Sequence, residues 1–113
     1  AHGGGSFPFT IGRIDKGFLA RPDLCAINNK ILPSNYLDTF YVDCLTHNVN
    51  ALEYLVNTIG FNKIALGTDY PFPLGETKPG ELISRLKITD KQKQRMYAGT
   101  ALEWLGLDEK KYI

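Results

Sequence analysis

A short apolar run, Ile64-Ala-Leu-Gly-Thr68, ends at Asp69 and is followed by the Pro-rich turn Tyr70-Pro-Phe-Pro73. A parallel barrel strand that delivers one carboxylate to the mouth of a barrel has this form. Such a carboxylate can hold a divalent metal or act as a base. The spacing leaves a second reading open, in which Asp69 caps the amides of the turn behind it. Near the start, His2 precedes Gly3-Gly-Gly5 and Phe7-Pro-Phe9. Glycines let backbone or ligand approach closely, and an imidazole beside them can exchange a proton near pH 7; an ordinary exposed histidine is the alternative. Arg13, by spacing alone, reads as a solvated cation. Asp43 and His47 flank the end of an apolar segment, and His47 is either a second imidazole for a site or part of the turn into the next helix.

Other chemistries are excluded by pattern. The three glycines lack the G-x-x-x-x-G-K-[ST] context of a phosphate loop. H-x-H, H-E-x-x-H, C-x-x-C and G-x-S-x-G are all missing. One carboxylate and one imidazole fall short of the three or four protein ligands that zinc takes. The segment by itself therefore holds an incomplete site.

The elements that must position these residues alternate between strand and helix. Residues 1–12 read as a Gly-rich strand end and the loop beyond it, with a helical stretch from Arg13 to Leu19 and breaks at Arg21-Pro-Asp and Leu32-Pro-Ser. The β-rich Thr39–Leu45 reads as a strand. Asn48 suits a helix N-cap, Val49, Leu52, Leu55, Val56 and Ile59 recur at helical spacing, and Gly60 supplies a stop. A second strand is expected over 63–69, its near-continuous apolar character suiting a parallel strand covered on both faces. Helices are expected at 79–86, 90–98 and 100–105. Thr89-x-x-Gln92 and Thr100-x-x-Glu103 carry the capping-box pattern, and Trp104 and Leu105 are expected on the packing side. Strands alternating with helices imply an α/β fold with a parallel sheet. A (β/α)8 barrel takes roughly 30 residues per unit, so 113 residues amount to about three units, read here as the C-terminal portion of such a barrel. A third of a barrel leaves strand edges unpaired, and such edges seek partners.

Composition is that of a globular protein, 43% hydrophobic and 22% charged, with 13 basic and 12 acidic residues and a net charge of +1. No basic stripe favours nucleic acid, and no apolar run approaches the length of a membrane span. No charged region followed by an apolar stretch marks a signal peptide. Cys25 and Cys44 form no close pair and read as reduced thiols in a cytoplasmic protein.

Five stretches together resemble one family: His2-Gly-Gly-Gly-Ser-Phe-Pro-Phe-Thr-Ile-Gly-Arg13, Arg21-Pro-Asp-Leu-Cys25, Phe40-Tyr-Val-Asp43, Leu66-Gly-Thr-Asp-Tyr-Pro-Phe-Pro-Leu-Gly-Glu76 and Ala101-Leu-Glu-Trp-Leu-Gly-Leu107. They look like the α-amino-β-carboxymuconate-ε-semialdehyde decarboxylases of the amidohydrolase superfamily. The resemblance covers the whole chain, residues 1–113, and only the last third or so of the family's barrel. It implies a distorted (β/α)8 barrel with a single zinc (Zn), which removes a carboxylate from an unstable semialdehyde on the kynurenine route of tryptophan breakdown. It implies that Asp69 is the metal-binding aspartate and His2 the catalytic histidine. It further implies that Arg13 reaches into the neighbouring subunit of a homodimer to pair with a substrate carboxylate. The family's strand-one H-x-H, its further metal histidine and its own-subunit substrate arginine have no counterpart among these residues. Two other readings stay open: another metal-dependent hydrolase or decarboxylase of the superfamily, or an inactive truncated fragment.

Overall fold

The computed structural model describes residues 1–112. Two strands, β1 (Val42–Asp43) and β2 (Ile64–Ala65), pair in parallel with Val42 opposite Ile64 and Asp43 opposite Ala65. The ladder is shorter than the expected 39–45 and 63–69 because the flanking backbone turns to other partners. Thr39 N donates to Tyr36 O (2.9 Å), Thr46 N to Cys44 O (2.8 Å) and Leu66 N to Met96 O (2.9 Å).

The strands are joined across α3 (Val49–Ile59), which forms as its sequence predicts. Asn48 lies in the extended region, and its side chain accepts from Ala51 N (3.0 Å), so one orphan amide of the first turn is satisfied. The stop is Gly60 at φ 97°, a conformation that side chains resist. Leu52, Leu55 and Ile59 line the buried stripe of α3 and pack with Ile64, Ile83 and Met96 in the core.

Elsewhere the structure corrects the expectation. Residues 7–12, expected as loop, are the first turns of α1 (Phe7–Ala20). Pro8 falls in the opening turn, where its missing N–H costs nothing, so the Phe-Pro-Phe signal marks a helix start instead of a strand end. A short α2 (Pro22–Cys25) follows. The helix expected over 79–86 is only α4 (Glu81–Ser84), because Gly80 turns left-handed at φ 85° and keeps Pro79 outside it.

The chain from Asp90 to Leu105 is one helical run rather than two helices. It comprises α5 (Asp90–Gln94), a wide π turn (Arg95–Gly99) and α6 (Thr100–Leu105). Thr89 and Gln92 form the expected capping box, Gln92 N donating to Thr89 Oγ1 (3.3 Å) and Thr89 N to Gln92 Oε1 (2.9 Å). The second box does not form. Thr100 is already helical at φ −64° and buried, with its hydroxyl 3.4 Å from Asn62 O. The Met96 carbonyl of the π turn takes the Leu66 amide, which fastens the run to the edge of β2 away from β1. The core under the run ends at Thr100. Trp104 and Leu105, expected to pack, are 67% and 58% exposed, and Trp104 borders an open hollow beside Phe40 and Ala101.

A polar cluster ties this run to the strand beginnings. Tyr41 donates to Glu103 Oε1 (2.6 Å), Lys63 Nζ lies 4.4 Å over the Tyr41 ring, and Arg95 pairs with the same carboxylate. The Tyr41 hydrogen bond and then Arg95 hold the Glu103 carboxyl down at about 2.

Leu52 has no exposed surface. Leu52→Ala should lower the free energy of unfolding by about 2–5 kcal/mol in a urea titration. Asn48→Ala, which removes only a cap, should cost about 1 kcal/mol.

Candidate functional site

Parallel strands send their carboxyl ends to the same face, so Asp43, closing β1, and Asp69, four residues past Ala65, emerge on one side. His2 reaches them from the opening turn. Gly3, Gly4 and Gly5 all have positive φ (59°, 78° and 59°), which only glycine adopts three times in succession without strain. That turn places Gly3 N 2.7 Å from Asp43 Oδ1 and carries the His2 ring over both carboxylates. His2 Nδ1 lies 2.6 Å from Asp43 Oδ2, and His2 Nε2 lies 3.1 Å from Asp69 Oδ1. Asp43 Oδ1 also accepts from Leu45 N (3.2 Å). Gly67 makes room for this carboxylate, since a Cβ there would sit 2.8 Å from Asp43 Cβ.

Asp69 is left-handed at φ 56°. Its turn is closed by Phe72 N donating to Asp69 O (2.9 Å) and Glu76 N to Thr68 O (2.8 Å), and by Tyr70 N donating to Thr68 Oγ1 (3.3 Å). The Asp69 carboxylate points to His2, so it is not the cap of its own turn.

The electrostatics follow from this sandwich. The Asp43 hydrogen bond, aided by the charges of Asp43 and Asp69, raises His2 above the usual 6.5. Partial burial pushes Asp43 up, but the His2 hydrogen bond and the Gly3 and Leu45 amides outweigh it, and Asp43 ends below the usual 3.8. Each ring nitrogen of His2 therefore faces a carboxylate, and both carboxylates favour the charged ring.

The sequence-predicted residues divide into two groups. His2 and Asp69 meet directly. Arg13 does not join them: it is exposed on α1 and makes no hydrogen bond or ion pair with another described residue. His47 also stays apart. It is exposed at φ 52° in the turn before Asn48, with Nδ1 3.7 Å from Glu76 Oε1, too far for a hydrogen bond. Asp43, which the sequence placed at a strand end without a role, is the third member of this cluster. Its signal was a carboxylate at the end of one strand, as Asp69 follows the end of the next.

Among the described residues, no three His, Cys, Asp or Glu side chains are arranged to hold a metal ion. Asp69 spends Oδ1 on His2, and its Oδ2 takes no hydrogen bond from another described residue. One carboxylate oxygen of Asp69 is thus left open past the end of β2, where a single ligand atom is on offer.

The sequence profile of the family described as Amidohydrolase matches residues 1–107. A 2-amino-3-carboxymuconate-6-semialdehyde decarboxylase from Dictyostelium discoideum is 58% identical over 114 residues, covering 100% of this chain and 32% of that protein. Among solved structures, a 5-carboxyvanillate decarboxylase from Sphingomonas paucimobilis superposes with a TM-score of 0.80 at 21% identity, over 95% of this chain and 32% of that one. A dihydroxybenzoic acid decarboxylase from Polaromonas, with bound manganese and 2-nitroresorcinol, superposes at 0.73 and 19% identity, over 99% and 35%. The chain thus spans about a third of the length of the proteins it matches, and its α/β arrangement is a portion of a (β/α)8 barrel.

Two outcomes follow from the packing and the charges. Gly67→Ala should displace Asp43 and cost about 1–3 kcal/mol of stability by chemical denaturation. The His2 contribution is full below 6.5 and fades as pH rises through the elevated His2 value, while that of Asp43 is present above 3.8 and fades as pH falls through its depressed value. The loss of melting temperature on His2→Ala in metal-free protein should therefore peak between those two limits and shrink on either side.

Proposed function

The chain belongs to the amidohydrolase family, and from that membership we propose that it supplies part of the active site of a zinc-dependent, non-oxidative decarboxylase. The substrate proposed is α-amino-β-carboxymuconate-ε-semialdehyde, an intermediate of tryptophan breakdown on the kynurenine route. The observation that carries the proposal is the direct contact of His2 with Asp69 at the carboxyl end of β2, in a chain 58% identical along its length to a decarboxylase of that substrate. No feature of the site favours another superfamily enzyme over this one, and the incomplete ligand set makes the proposal one about the full-length protein.

In the proposed site Asp69 gives a carboxylate oxygen to the zinc, with the remaining ligands drawn from the rest of the barrel. The metal, when bound, supplies Lewis-acid chemistry and lowers the pKa of water toward 7. Loss of carbon dioxide leaves an electron pair on the substrate carbon, and a proton must take the place of the departed carboxylate. His2, at the mouth of the strands, is the group placed to move protons there. Arg13 projects from the exposed side of α1, which suits a role in a partner subunit of a homodimer, where its planar guanidinium would grip a substrate carboxylate through two hydrogen bonds. The free thiols of Cys25 and Cys44 suit a reducing cytoplasm. No helix of the described residues is long and apolar enough to cross a membrane.

In the full-length protein, Asp69→Ala should lose both zinc and turnover. His2→Ala should keep zinc, by elemental analysis, while turnover falls about 10²–10⁴-fold. Mixing His2→Ala with Arg13→Ala subunits should restore roughly a quarter of the wild-type rate, since about half the dimers are mixed and one of their two sites is whole. No recovery after proven subunit exchange would place Arg13 outside the partner's site, and a zinc-loaded, active Asp69→Ala protein would remove Asp69 from the metal.

A further inference from the structure

We propose that Asp43 is a positioning residue that decides which nitrogen of His2 carries the proton. A neutral imidazole has one N–H, and the carboxylate of Asp43 faces Nδ1 from a fixed position. Asp43 is the nearer, 2.6 Å from Nδ1 against 3.1 Å from Nε2 to Asp69. It is also the better anchored. Its other oxygen is held by the backbone amides of Gly3 (2.7 Å) and Leu45 (3.2 Å), in the space that the missing side chain of Gly67 leaves for it. A carboxylate can only accept, so the neutral ring keeps its proton on Nδ1. Nε2, the nitrogen facing Asp69, is then the one free to take a proton and return it. The inference rests on the proposed role of His2 for its consequence in turnover, but the tautomer itself does not depend on the identity of the substrate.

The two backbone amides make the isosteric substitution informative. In Asp43→Asn the side-chain carbonyl must stay at the Oδ1 position, because two N–H donors face it. The amide NH₂ is thereby left at the Oδ2 position, where it donates to Nδ1. The ring must then carry its proton on Nε2, the wrong nitrogen for accepting one. Shape and volume are kept while the tautomer is inverted.

The test is nitrogen NMR on zinc-loaded full-length protein labelled with ¹⁵N-histidine, together with steady-state kinetics. Wild type should show His2 with a protonated Nδ1 and a bare Nε2, and Asp43→Asn the reverse. The variant should lose about 10²–10⁴ in kcat with KM little changed. In the His2→Ala background the same substitution should cost nothing further in kcat, because Asp43 acts through His2. A wild-type His2 protonated on Nε2 would overturn the proposal, and that result is readable even if the variant fails to fold. So would an unchanged tautomer in Asp43→Asn, or a further kcat loss in the His2→Ala background. If the tautomer inverts but the wild type releases no carbon dioxide, the functional reading fails and the role of Asp43 stands.

Discussion

Two carboxylates brought to one point by neighbouring parallel strands repel each other, and a cation between them turns that repulsion into attraction. In this chain the ring set between Asp43 and Asp69 is that of His2, and both carboxylates favour its charged form. The local structure is arranged to bring the three groups together. The α3 crossover sets the strands side by side in the same direction, and the left-handed glycine turn folds His2 back over them. Gly67 clears the space that Asp43 occupies. In the proposed enzyme a metal ion at Asp69 would share the cationic task, leaving His2 Nε2 free for proton transfer.

The opposite ends of the same strands carry a different kind of cluster. Tyr41 precedes β1 and Lys63 precedes β2, and both converge with Arg95 on Glu103 of the terminal helical run. Every charge there has a partner within the cluster, as suits a fastening rather than a reactive site, and barrel enzymes keep stability and chemistry at opposite strand ends in this way. Around the site the surface is apolar. Phe72 and Leu74 in the turn after Asp69, and Phe9 on α1, are 65%, 77% and 82% exposed. In the proposed barrel such side chains are available to cover the substrate or a neighbouring subunit.

What could be read from the sequence was whatever local patterning controls. The Asn48–Gly60 helix has a cap, a stripe and a stop, and each acts within a few residues, so its bounds were legible. The parallel pairing was legible for the same reason, though the strand expected to run to Asp69 stops at Ala65, and the family resemblance supplied the barrel and singled out His2. Features set by distant partners were not. The fusion of the last two helices depends on the π turn at Arg95–Gly99, whose Met96 carbonyl is claimed by Leu66, and no local signal announces that. The early start of α1 was hidden by a proline that reads equally as a break and as a first-turn residue. Asp43 was noted at its strand end but given no role, because its importance lies in a contact with a residue 41 positions away.

Anomalous diffraction at the zinc edge from crystals of the full-length protein tests the central claim most directly. The account predicts a peak about 2.0–2.2 Å from a carboxylate oxygen of Asp69, with the His2 ring beside it and its Nδ1 still on Asp43. A zinc peak remote from Asp69, with the Asp69 carboxylate still bound only to His2, would contradict it.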